Sequence, residues 1–200
     1  MGPLDKPPTE PRKRLSLKGQ ASGYPEWIYY PARVRPPHWV HGIIDVVAGA
    51  RLQIDTAAVR GLGSNAVLKH LAPGLLTLGY SVEAGRHAGG RIERPVLFGK
   101  SGNERVRYDV DAMHDGLGVV VEVEAGRGKL GNAVYRNLIR SSLIVEARFL
   151  ALGVMSGYRR MSSGREVTEA DFIYSMGLLD AIYASGRLVL PFEGVLLFGY

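Results

Sequence analysis

The chain contains no cysteine. That excludes disulfides, a thiolate nucleophile and Cys-ligated zinc. It also lacks any apolar run of the length a membrane span needs, and its first residues hold no apolar signal segment. A cytoplasmic setting is the expectation. No internal repeat is visible, and aromatic residues make up only 8% of the chain. The five histidines, His38, His41, His70, His87 and His114, lack the i, i+4 spacing of a zinc hydrolase helix. Ser141 and Ser142 fall inside a helical pattern without the strand–turn–helix context of a nucleophile elbow.

What is present is the balance of a globular protein: 200 residues, 46% apolar and 22% charged, enough for one domain with a real core. The formal charge is +6, with a pI near 9.6. Residues 1–37 carry seven basic side chains against three acids, so +4 of the excess sits there. The remaining 163 residues carry 18 against 16. The pI is therefore a weak argument for a nucleic-acid partner. Residues 1–23, rich in Pro, Lys, Arg and Ser, read as a disordered basic arm, either simply solvated or tracking phosphates. Residues 24–200 read as a single domain.

Along that domain, 24–37 reads as extended and packed on the core, with Trp27, Tyr29, Tyr30 and Trp39 as packing residues rather than base-stacking ones. Residues 38–50 fit a helix or an apolar strand. Ser64 or Asn65 can cap a helix running to about Tyr80 with a kink at Pro73. Ser81–Ala84 reads as a short strand and IERPVLF as another, ending near Phe98 before a turn at 99–103. RVRYDVDAMH and GVVVEVEA then read as two strands around 114–118, a hairpin. A long helix is expected over Asn132–Leu152, and a strand over Leu152–Tyr158. Thr168 and Asp171 form a capping-box pattern for a helix to about Ala184. RLVLPFEGVLLFGY reads as two strands about a turn. The plan is mixed α/β with a central hairpin.

The hairpin carries the chemistry. Strand side chains alternate faces, so Asp109 and Asp111 share one face and Glu122 and Glu124 share one face. A four-residue loop sets Asp111 opposite Glu122, and a two-residue loop sets Asp109 there. Either way the four acids project together, with Val110, Val121 and Val123 on the opposite, core face. Carboxylates about 5–7 Å apart repel by roughly 2–3 kcal/mol per pair at an effective dielectric near 20. One way to offset this is pairing with Arg105, Arg107 or later arginines on a solvated face. Another is a hard divalent cation, Mg²⁺ with Mn²⁺ as substitute. The following helix places Lys129, Asn132, Arg136 and Arg140 on one stripe. An acid cluster beside a basic stripe suits phosphodiester chemistry.

These residues resemble the PD-(D/E)XK nuclease superfamily, the restriction-endonuclease-like fold, over about residues 64–158. Asp111 stands for the first acid, without the preceding Pro. Glu122-Val123-Glu124 stands for the second motif, with Glu124 where lysine is commonest. The resemblance implies an αβββαβ core with a mixed central sheet and Mg²⁺-dependent DNA hydrolysis. It implies Asp111 and Glu122 as metal ligands with the Val123 carbonyl, and Asp109 in reserve. Glu124 would orient or deprotonate water. Lys129 or Arg127 would supply the missing positive charge. Arg127, Asn132, Arg136 and Arg140 would hold DNA, and cutting both strands calls for a homodimer. Two alternatives stand beside it. One is a non-catalytic nuclease-fold protein for DNA binding or assembly. The other is a dinucleotide-binding enzyme using the glycines of 126–131, which fit GxGxxG. Against the latter, its strand would carry two glutamates, and it follows a hairpin rather than opening a βαβ unit.

Overall fold

A computed structural model describes residues 23–85, 89–126 and 132–200. The expected arm over 1–23 therefore lies almost wholly outside the described residues. The chain forms a mixed α/β fold around a six-stranded sheet. In chain order the elements before the hairpin are β1 (Glu26–Tyr30), α1 (His38–Gly49), α2 (Arg51–Ile54), α3 (Ser64–Thr77), β2 (Ser81–Val82) and β3 (Ile92–Phe98). Then come β4 (Glu104–Val110), β5 (Ala112–His114), β6 (Val119–Glu124), α4 (Ala133–Ser142) and β7 (Phe149–Val154). The chain continues through β8 (Tyr158–Ser162), β9 (Arg165–Glu169), α5 (Asp171–Ser185) and β10 (Gly194–Gly199).

The sheet order is β1-β10-β7-β6-β5-β2. β7 lies parallel to both neighbours, and the outer pairings are antiparallel. The central strands FLALGV and GVLLFG are nearly continuous apolar runs, as strands covered on both faces must be. One core packs α1, α2 and α3 against Val119, Val121, Val123, Ala151, Leu196 and Phe198. The other packs α4 and α5 against Val120, Leu150, Leu152, Val195 and Leu197. Among the described residues no helix is long and apolar enough to cross a membrane.

The local reading of 38–50 resolves to a helix. Both aromatic pairs of the N-terminal segment are packing residues: Tyr29 and Tyr30 are buried, and Trp39 tilts against Phe149. The hairpin turn has the four-residue form, since His114 pairs with Val119. Gly118 closes it at φ +65°, and a Cβ there would meet the Glu146 carbonyl oxygen at 2.7 Å.

Several expectations are corrected. The helix after the hairpin ends at Ser142 rather than Leu152. Phe149–Val154 is instead the central parallel strand, because an apolar run of six is ambiguous in periodicity and pairing on both sides decides it. Thr168 is paired in the β8–β9 hairpin, opposite Arg159, so it caps nothing. RLVL of 187–190 makes no strand. Gly63, not Ser64 or Asn65, occupies the cap of α3, and Pro73 sits inside that helix without ending it. RVRYDVDAMH is not one strand. It bends at Asp111: β4 pairs with β3 in a separate ribbon, while β5 joins the main sheet. The bend breaks the alternation, so Val110 packs in the α4–α5 core, opposite the core that holds Val121 and Val123.

Candidate active site

β6 sets the site. Its odd-numbered valines face α1–α3, and the other face begins with Val120 and then turns polar at Glu122 and Glu124. Those two carboxylates therefore point to the side on which α4 packs. The β5–β6 ladder runs from His114↔Val119 to Ala112↔Val121. The next residue back is Asp111 at the bend. Its side chain takes the place of a ladder partner, with Oδ2 accepting a hydrogen bond from the Val123 amide at 2.7 Å.

The result is a cleft of about 650 Å³ lined by all four predicted acids, Asp109, Asp111, Glu122 and Glu124, and by Val123. Arg136 and Arg140 form its α4 wall. Desolvation by burial pushes Asp111 up to about 6, helped by the charges of Glu83 and Glu124 and opposed by the Val123 amide and Arg140. Burial pushes Glu122 well above the usual carboxylate range, and the charge of Asp111 adds to it. Among the described residues, neither Asp111 nor Glu122 forms an ion pair, and no donor reaches the Glu122 carboxylate.

Glu124 is placed differently. Its Oε1 accepts from Arg136 Nη2 at 2.7 Å and from Asn137 Nδ2 at 2.9 Å. The Tyr200 hydroxyl donates to its main-chain carbonyl at 2.8 Å. Asp109 lies nearer the cleft mouth, 3.5 Å from Arg91. Arg140 lies over the Tyr108 ring and donates to the Asp109 carbonyl at 3.3 Å. Asn132 is exposed at the start of α4 in a left-handed conformation. Arg127 and Lys129 lie outside the described residues, as does most of the glycine loop of 126–131. As the side chains stand, no three His, Asp or Glu residues among those described form a ready-made metal cluster.

Glu83, Arg91 and Asn137, which line the cleft, and Tyr200, which supports it from behind, escaped the sequence reading. Glu83 follows β2, and its amide donates to the Asp111 carbonyl at 2.8 Å. This juxtaposition depends on the β2–β5 pairing, which no local pattern reveals. Arg91 is brought in by the ribbon. Tyr200 arrives with the last strand. Asn137 did leave a signal: it is an amide on the buried stripe of Val134, Leu138 and Ser141.

The expected absence of a βαβ unit at the glycine loop does not hold. β6 pairs antiparallel with β5 but parallel with β7, so β6-α4-β7 is a βαβ unit. The stronger objection is electrostatic. A pyrophosphate at the end of β6 would meet the carboxylates of Glu122 and Glu124 directly.

No family model, no curated protein and no solved structure matches this chain.

Proposed function

We propose that this chain is a metal-dependent endonuclease that hydrolyses DNA phosphodiester bonds on a restriction-endonuclease-like core. The observation that carries the reading is the Asp111–Glu122 pair. Two adjacent carboxylates are buried enough to hold their protons unusually tightly, and the arginines that oppose this, Arg140 and Arg136, act on them without forming a described ion pair with either. Natural sites offset such a pair with a cation, and an all-oxygen donor set suits Mg²⁺ or Mn²⁺. Support also comes from the main-sheet elements, which run α3-β2-β5-β6-α4-β7 once the β3–β4 ribbon inserted between β2 and β5 is set aside, an αβββαβ order with the acids at the β5 entrance and the end of β6.

In this reading Asp111, Glu122 and the Val123 carbonyl would hold the cation, with Asp109 in reserve. When bound, Mg²⁺ would supply charge neutralisation at a phosphate oxygen and a more acidic water. Glu124, steadied by Asn137 and Arg136, would stand where an attacking water could be oriented or deprotonated. Arg136 and Arg140 on the cleft wall hold the phosphate backbone, joined by Asn132, Arg127 and Lys129. A duplex cut by one-site subunits calls for two copies.

A second reading has one specific observation behind it. Glu124 is engaged by Arg136 and Asn137 rather than left open, as suits a non-catalytic nuclease-fold protein for DNA binding or assembly. Two measurements separate the readings. Calorimetric titration with Mg²⁺ and Mn²⁺ should show binding to the wild type and not to Glu122→Ala. Plasmid DNA should be cut by the wild type and left intact by Glu122→Ala. Wild-type protein that binds neither ion and cuts no DNA sinks the enzyme reading.

A further inference from the structure

The β3–β4 ribbon is not hydrogen-bonded into the main sheet, yet it feeds the site directly: β4 ends one residue before Asp111. Its two halves differ. The root is fastened. Arg94 reaches Asp115 at 2.7 Å, Arg140 stacks on Tyr108, and the Val145 amide donates to the Pro95 carbonyl at 3.2 Å. The tip is not. Of residues 97–105 all but Gly99 are exposed. Leu97 and Phe98 stand 48% and 46% accessible there. Beside them are Lys100 and Arg105, neither of which forms an ion pair among the described residues.

What sets Leu97 and Phe98 apart is that they are adjacent, at a tip that also carries these two cations without described ion pairs, and clustered exposed apolar residues mark contact surfaces. Apolar residues flanked by unpaired cations are the chemistry of proteins that wedge a side chain into a DNA base step while holding the adjacent phosphates. A two-stranded ribbon is also narrow enough to enter a groove of the duplex.

We propose that the tip of the β3–β4 ribbon docks into a groove of duplex DNA, with Leu97 and Phe98 against the bases and Lys100 and Arg105 on the phosphates. Arg107, held by Glu93 and Glu104, lies two residues nearer the root on the same strand. Exposed pairs of that kind are weak and exchange readily for phosphate. The ribbon also sets a distance. Five residues lie between Arg105 and Asp111, a span of about 20 Å along a strand and about six base-pair steps of duplex. The choice of DNA as occupant rests on the reading of the cleft, and the test keeps the two apart.

The experiment measures binding of a fluorescent 30-base-pair duplex by anisotropy across a salt series, with Ca²⁺ in place of Mg²⁺. Lys100→Ala with Arg105→Ala should lower the slope of log affinity against log salt by about 1.8. Leu97→Ser with Phe98→Ser should weaken binding about tenfold at every salt concentration without changing the slope. Both variants alter exposed positions, and thermal melts verify that they fold. Duplex binding by both variants that equals the wild type overturns the proposal, even where the wild type cuts plasmid DNA. So does a wild type that fails to bind duplex at low salt. So does a Leu97→Ser, Phe98→Ser variant that binds DNA normally but turns a dimer into a monomer, which would assign the tip to a second copy. Ribbon-dependent binding without cleavage in Mg²⁺ or Mn²⁺ supports the ribbon and removes the nuclease reading instead.

Discussion

Asp111→Asn should make the protein more stable at neutral pH. The aspartate is moved from 3.8 to about 6, chiefly by burial. Between those values the folded chain holds a proton that the unfolded chain has released. Folding stability therefore falls as pH rises through that window, and the loss is complete above about 6. The shift corresponds to about 3 kcal/mol at pH 7. Asparagine keeps an oxygen for the Val123 amide but carries no charge to desolvate. It also removes the charge that most raises Glu122. The expected gain is about 2–3 kcal/mol, or roughly 4–12 °C in Tm for a chain of this length. Urea denaturation at pH 4 and pH 7.5, in chelator, is the assay. Wild type and variant should converge at pH 4 and separate at pH 7.5. Added Mn²⁺ should close the gap by stabilising the wild type alone. A variant less stable than wild type at pH 7.5, or a difference that does not change with pH, refutes the account of a strained carboxylate pair.

Two further perturbations test the supports of the site. Tyr200→Phe deletes the donor to the Glu124 carbonyl. It should lower stability by about 1–2 kcal/mol in chemical denaturation while leaving the secondary structure seen by circular dichroism unchanged. Gly153→Ala places a Cβ 2.5 Å from the Phe198 ring, across the two central parallel strands. Overpacking there should cost about 1–3 kcal/mol, read as a lower urea midpoint. A neutral result would mean that the strands can separate more easily than their packing implies.

The acid pair was legible because alternation is a local property. Glu122 and Glu124 share a face whatever the rest of the chain does, and the turn at 115–118 then places Asp111 beside them. Strand IERPVLF and the helix at 64–77 were legible for the same reason. The failures were non-local. FLALGV continues a helical pattern smoothly, and only its pairing with two parallel neighbours makes it a strand. Thr168 had the spacing of a cap, but hairpin pairing claimed its backbone. The bend at Asp111 left no mark in composition, yet it decides which core Val110 enters. Glu83 and Arg91 reach the cleft through strand pairings that join distant segments. Asn137 was readable in principle, as the single amide on an apolar helical stripe.

The polar switch along β6 also governs how α4 can dock. Helices on apolar sheet faces can slide with little penalty, since one leucine replaces another. Here Val134 and Leu138 face hydrocarbon, whereas Arg136 and Asn137 meet Glu124. A slide of one turn, about 5.4 Å, would carry both donors off Glu124 and strip its half-buried carboxylate of its described partners. The polar pairing at Glu124 thus works as a key that fixes the position of the neighbouring helix to within a single turn.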